Sequence, residues 1–334
     1  MSEGKIRAKG LWFPDGNLII RAGDRVCLVH KSVLASHSPV LADMFSIPQP
    51  DIADMVDGIP AVTFPDPPKE VLHWLKAMLV PRYFDMDRRS IDRDRLFAVL
   101  RLSHKYDVLH LRRRSLEYLA GLLPVDVATV QAEMFHQTSS TIPDQDAVPL
   151  DFYPPIHAIA HEVGALWLIP CIVYLLHYHM SDPSVHDCLL TLSTPSTTSL
   201  IIRLRKLSRL VSQHFSPGRL VHIRHVCDQP PCRSGWVDLD HWITSLHKDP
   251  LCFYSVTNIE MVVKPVGWGD EMEQLECVCD SCCTDMRAYV AHACSAFWDE
   301  LPECLGLPAW EELLAAKARD LTMPMLSWED LHGD

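Results

Sequence analysis

The stretch RVCLVHKSVLASHSPVLADMF, residues 25–45, is where the chain changes period. Residues 25–29 (RVCLV) form a short apolar, β-branched run, and residues 17–22 (NLIIRA) form another just before it. Gly23-Asp24 between them favours a tight hairpin turn. From Lys31 onward the spacing turns helical. Val33 and Leu34 open a short helix that Pro39 stops or reorients. Ser38 is placed to cap a second helix with Pro39 at its first position, and Val40, Leu41, Met44 and Phe45 fall on one apolar face. Val40, Leu41 and Phe45 are therefore expected in the core. The stretch also holds His30, Ser32, Ser36, His37, Ser38 and Asp43, the residue types of a hydrolase triad. No glycines flank the serines as a nucleophile elbow requires, and the local pattern does not supply triad geometry. Capping accounts for the serines.

Working outward, residues 46–59 read as a polar excursion and AVTF (61–64) as another strand. Asp66-Pro67 signals a helix start, followed by Val71, Leu72, Leu75, Met78 and Leu79 at helical spacing. Leu96, Val99, Leu100 and Tyr106 mark a further helix, and Leu109, Leu116, Leu119 and Leu123 one more that ends at Pro124. The first 125 residues thus predict a small sheet followed by helices, an α+β domain. QTSSTIPDQDAVPLDFYPP (137–155) reads as a loop or linker, and TLSTPSTTS (191–199) as a second loop. AIAHEVGALWLIPCIVYLLHYHM, starting at Ala158, suggests a buried helical hairpin broken near Pro170. Later helices carry Tyr289, Val290, Ala293 and Phe297, then Trp310, Leu313 and Leu314.

VHKSVLASHSPVLADMF resembles the signature of BTB/POZ domains: a strand, His-Lys, a helix ending before Ser-Pro, and an apolar helix. The likeness continues through AVTFPD, KEVLHWLKAMLV and LFAVLRLSHKYDVLHLRRRSLEYL, and covers roughly residues 15–124. LWFPDGNLIIRAGDRVCLVHKSVLASHSPVLADMFSIPQP, AIAHEVGALWLIPCIVYLL and FWDELPECLGLPAWEEL are similar to stretches of the expanded BTB family of mushroom-forming fungi. The resemblance implies that His30-Lys31 closes a strand and starts a helix, so His30 and Asp43 belong to the scaffold. It implies two kinds of contact: BTB–BTB pairing into a homodimer, and docking onto a cullin as a ubiquitin-ligase adaptor. Two departures stand out. Residues 1–16 are short and hold Gly10 and Pro14, which leaves little room for the exchanged N-terminal helix of many dimeric members. PRYFDMDRRS (81–90) carries no clear cullin-binding signature.

Other motifs dissolve on inspection. HEVGA (161–165) has Ala165 where a helical zinc-protease motif has its second histidine. HYH (177–179) with His186-Asp187 contains metal-ligand types, but His177 and His179 face different sides of a helix. LRRRSLE (111–117) and IIRLRKLSRL (201–210) are short basic runs, explained as exposed helix faces. The cysteines persist. CDQPPC places Cys227 and Cys232 around a Pro-Pro turn, and ECVCDSCC holds Cys279 and Cys282 at knuckle spacing, with Cys277 and Cys283 beside them. Two such pairs supply the four thiolates of a structural zinc, although 46 residues separate Cys232 from Cys279, more than a zinc ribbon has. Buried apolar cysteine is the competing reading.

The bulk numbers bound the class of chain. The chain has 334 residues, 48% hydrophobic and 22% charged, which describes a folded chain long enough for two domains. A net charge of −13 is a poor match for a phosphate backbone. Nine acidic residues lie between Asp299 and Asp334 against Lys317 and Arg319. The start MSEGKIRAKG has no apolar signal region, and ALWLIPCIVYLL (165–176) is too short to span a bilayer. A soluble chain in the cytoplasm or nucleus, its twelve cysteines held as thiols or metal ligands, is the expectation. The predicted organisation is an extension (1–14), a BTB/POZ-like α+β domain (15–124), a helix and Pro-rich connection (125–155), and a mostly helical part with Cys-rich loops (156–334). The expected function is non-enzymatic protein–protein interaction by self-association or recruitment. The rivals are a BTB-containing transcriptional regulator and, further behind, an enzyme with its site in the C-terminal half.

Overall fold

Three strands precede the first helix: β1 (Ile6–Trp12), β2 (Leu18–Ala22) and β3 (Arg25–Val29). They lead into α1 (Lys31–His37), α2 (Pro39–Ser46), β4 (Met55–Val56), β5 (Ile59–Thr63), α3 (Pro68–Leu79), α4 (Arg93–Lys105) and α5 (Leu109–Ala120). The rest is helical: α6 (Tyr153–Glu162), α7 (Ile169–Tyr178), α8 (Pro183–Thr191), α9 (Thr194–His214), α10 (Asp280–Leu305) and α11 (Trp310–Leu321). Short 3₁₀ turns over Leu150–Phe152 and Leu166–Leu168 lead into α6 and α7. The computed structural model describes residues 6–47, 55–85, 92–123, 149–178, 183–214 and 280–322. The chain is α+β, with a small mixed sheet at its N-terminus followed by mostly helical structure.

The sheet runs β1-β3-β2-β5-β4. β2 and β3 form the expected antiparallel hairpin, with Leu18 opposite Val29 and Ala22 opposite Arg25. Gly23 turns it at φ +60°, the first central position of a type II′ turn. A Cβ on Gly23 would come within 2.8 Å of Pro68, so glycine also lets the start of α3 sit against the turn. Two strands were not legible as strands. β1, inside the expected extension, pairs parallel with β3 and buries Ala8 and Leu11. β4 joins β5 through Asp57-Gly58, both at positive φ as a type I′ turn requires.

The capping expected at Ser38 is present. Its hydroxyl accepts from the Leu41 N–H at 3.0 Å and donates to the Tyr106 carbonyl at 2.5 Å. Asn17 Oδ1 caps α1 from a distance by accepting from the Lys31 N–H at 2.8 Å. The face of α2 differs from the expectation at one position. Leu41 is fully buried and Phe45 half-buried, but Val40 is 41% exposed. Ser38 must face inward to reach Tyr106. Leu41, three residues on, shares that side, while Val40 is rotated about 100° away.

Trp74 of α3 packs against Phe64 and Tyr106, with ring centroids 6.0 and 5.0 Å away. Asp66 caps nothing here. It accepts from the Tyr106 hydroxyl and from Lys105 Nζ, each at 2.5 Å. Asp107, at φ +52°, ends α4, and the Val108 N–H reaches back to Ser103 O at 2.8 Å, so α5 follows with almost no loop. Leu116, Leu119 and Leu123 are buried as expected, but Leu109 is 51% exposed at the first position of α5.

Further on, α6 begins at Tyr153, inside the stretch expected to be loop. The hairpin of α6 and α7 breaks at Gly164, φ +71°, and Pro170 stands at the start of α7 instead of interrupting it. The expected loop at 191–199 is mostly the first turns of α9. Pro195 suits a first helical turn, and Thr197 and Thr198 return their hydroxyls to the carbonyls of Ser193 and Thr194 at 3.1 and 2.8 Å. α9 packs on α10 and α7, and α11 returns to α5. One continuous set of buried apolar side chains runs from the sheet through to Leu313 of α11. Among the described residues no helix is long and apolar enough to cross a membrane.

Three arginines tie the helical part to the α+β part. Arg93 reaches Asp151 at 3.1 Å, and Arg101 bridges Glu70 and Glu162 at 2.6 and 2.7 Å. Arg112 pairs with Asp320 of α11 at 2.7 Å, and Trp167 Nε1 donates to the same carboxylate at 2.8 Å. Arg112 is thus an internal tie and not part of an exposed basic face.

The difference between neighbours on α2 is testable. Leu41→Asp puts a charge in the core and is expected to cost about 3–5 kcal/mol, whereas Val40→Asp is expected to stay within about 0.5 kcal/mol. Chemical denaturation of both variants measures this.

Candidate interaction surface

His37 at the end of α1 and His110 in the first turn of α5 lie ring to ring, with centroids 5.0 Å apart. This contact brings the ends of two helices together. Val33 stands one turn before His37 on α1, Val40 follows at the start of α2, and Leu109 precedes His110. All three apolar side chains are exposed. His110 is also part of the wall of a neighbouring cleft of about 210 Å³ between the end of α3 and α5. Met78, Val80, Phe84 and Leu111 give the cleft its apolar lining. Arg114 pairs with Asp85 at the rim, and Arg82 stands beside them in the turn at φ +60°.

Electrostatics leave this surface weakly charged. Burial, and next the neighbouring His37, push the His110 pKa below the usual imidazole range. The ring is therefore neutral at physiological pH. Behind the turn, Tyr83 is hydrogen-bonded to His73 at 2.6 Å and covered by the Arg95 guanidinium 4.7 Å from its ring centroid. Nothing lining the cleft pairs a nucleophile with a base. What it presents is an apolar floor, a neutral histidine and a rim of opposed charges, the makings of a contact surface.

The triad-like residues of the opening stretch are not brought together. His30 closes β3, lies 3.3 Å from Asp15 and sits beside the Phe13 ring. Ser36 donates to Val33 O of its own helix at 2.8 Å, and Ser32 and Asp43 are exposed. Of the zinc-protease near miss, Glu162 is engaged by Arg101 and His161 lies against His157. His177, in the last turn of α7, is buried and hydrogen-bonded to Ser208 at 2.9 Å. His179 lies outside the described residues, as does the side chain of His186.

Among the zinc candidates, Cys227, Cys232 and Cys279 lie outside the described residues. Cys282 falls on α10, with its side chain outside them. Among the described residues no group of three or more His, Cys, Asp or Glu side chains is placed to hold a metal. Cys27, Cys171 and Cys188 are buried thiols within the hydrophobic interior. Sequence reasoning missed His110 and Arg114 as surface-forming residues, because their cleft is assembled from α3 and α5. For Arg112 a signal existed: it lies three and four residues before Ser115 and Leu116 and so shares the buried stripe.

Comparison with known families, characterised proteins and solved structures returns no match for this chain.

The buried cysteines give a direct check. Burial pushes the Cys27 thiol up to about 12, opposed by the weaker influence of Lys76. Cys27 is expected to resist alkylation at neutral pH in the native protein and to react once denaturant is added. Peptide mapping by mass spectrometry measures the difference.

Proposed function

We propose that this chain is a non-enzymatic protein-interaction protein whose N-terminal α+β unit, BTB/POZ-like in sequence, pairs with a second copy of itself. The observation that carries this reading is the exposure of Val33, Val40 and Leu109 where α1, α2 and α5 meet, beside an apolar cleft. Scattered apolar residues are ordinary, but their gathering around one helix junction suits a protein contact. β1 bears on how pairing would occur. β1 lies along β3 of its own chain, and the proposed pairing uses the helical surface.

Light scattering on the full chain at high micromolar concentration is expected to report a dimer. The double variant Val40→Asp/Leu109→Asp is expected to return it to monomer with little change in melting temperature. A wild-type chain that stays monomeric overturns self-association and leaves recruitment of another protein, with a cullin the first partner to test by pull-down.

The cysteines support a second component of the proposal, one structural zinc held by Cys227, Cys232, Cys279 and Cys282. Each closely spaced pair offers two thiolates, and joining two pairs closes a tetrahedron. α10 begins at Asp280, which puts Cys282 in its first turn. The free N–H groups of that turn favour a thiolate. Elemental analysis of protein purified without added metal is expected to give about one zinc per chain, lost in Cys279→Ser. Metal-free protein that is fully folded would remove the zinc from the proposal.

A further inference from the structure

His157 of α6 is completely buried, yet its neighbours are a poor match for a buried imidazole. Arg203 of α9 places a guanidinium nitrogen 3.5 Å from its Nε2, and His161, one turn along α6, lies 5.0 Å away ring to ring. Arg203 is held by Ser199 Oγ at 2.5 Å and, among the described residues, by no carboxylate. The nearby acids are engaged elsewhere: Glu162 of α6 with Arg101 of α4, and Asp151 of the preceding turn with Arg93. Among the described residues, α7 and α8 add no charged group to the field at His157, and its contributors are His161 and Arg203. Nδ1 of His157 and Nε of Arg203 are closed to solvent and, among the described residues, make no hydrogen bond. No ligand can reach these atoms, so the cluster is not a binding pocket. It is a place where, among the described residues, one added proton has no counter-charge.

We infer that α9 is held by an acid-sensitive clasp, in which protonation of His157 against Arg203 loosens α9 from α6. The same helix meets a second buried histidine, because His177 of α7 bonds Ser208, five residues past Arg203. At its far end α9 carries His214, 3.2 Å from Glu300 of α10. Acid therefore works against the contacts of α9 with α6 and α7.

The direction follows from linkage. Burial, with His161 and Arg203 adding to it, lowers the His157 pKa to about 3, and burial lowers that of His177 to about 4. An opened or unfolded chain takes up a proton at each ring near pH 6.5, which the closed form refuses. Stability from these groups is complete above about pH 6.5 and falls as pH drops below it, by up to about tenfold per pH unit per histidine in the opening equilibrium.

Hydrogen exchange of the full chain between about pH 7.5 and 5.5, corrected for intrinsic rates, tests the clasp. Protection of α6 and α9 amides is expected to fall more steeply with acid than that of α3 and α4. His157→Gln is expected to flatten that fall by up to about tenfold per pH unit, because it removes the titrating group, whereas Arg203→Gln leaves the ring buried and is expected to change the slope much less. If His157→Gln does not fold, an NMR titration of the His157 ring in the native chain decides, and a ring that takes up its proton near pH 6.5 while the chain stays folded overturns the clasp. A pH dependence at α6 and α9 unchanged by His157→Gln overturns the clasp.

Discussion

The hydroxyl of Ser38 is the contact on which the N-terminal architecture depends. It is fully buried at the sharp junction between α1 and α2, where it caps one helix and donates to the backbone carbonyl of Tyr106 at the end of α4. A buried hydroxyl without partners costs on the order of 1–3 kcal/mol, so α2 and the α4–α5 corner have to meet. Tyr106 extends the chain of contacts, its hydroxyl to Asp66 and its ring to Trp74 and Phe64. One small polar side chain thereby fixes which face of α2 is inward, where α3 starts relative to the sheet, and where α5 sets off. The exposed positions of Val33, Val40 and Leu109 follow from the same geometry.

Beyond this unit the packing changes character. The helical part is joined to α4 and α5 by arginines that each reach a carboxylate on another element, and these pairs sit at the edges of a continuous apolar interior. Such pairs contribute orientation more than net stability, since desolvation offsets much of their attraction. Inside the helical part the polar contacts to α9 are made largely by histidine and serine. The two regions therefore differ in what disturbs them: salt and charge reversal at the joint, protons at α9.

How much of this could be read in the sequence depended on how local each cause was. The β2–β3 hairpin, the Ser38 cap and the Pro39 start are set by neighbours within four residues, and all three were legible. β1 was not, because a register shift between Arg7 and Trp12 brings Ala8 and Leu11 inward three residues apart and erases the period-2 pattern. The turns of α9 at 194–199 looked like a loop because Thr and Ser favour turns, yet here their hydroxyls bond back into the helix. Of the candidate surface, the exposed Leu109 and the histidine contact could not be foreseen. They depend on a corner that Asp107 closes at positive φ. The basic run at 112–114 was read as solvated, since its partners Asp320 and Asp85 lie far away along the chain.

The pairing of Arg112 with Asp320 also bears on the order of events during synthesis. The two residues are 208 positions apart, so α5 leaves the ribosome long before its counter-charge exists. Until then Arg112 stays hydrated, and the stripe it shares with Ser115 and Leu116 has no α11 to cover it. Contacts this distant along the chain slow folding, because a long loop must close before any of them stabilises it. The nascent α+β part would thus present a partly wet, partly apolar helix to its surroundings until α11 has been made.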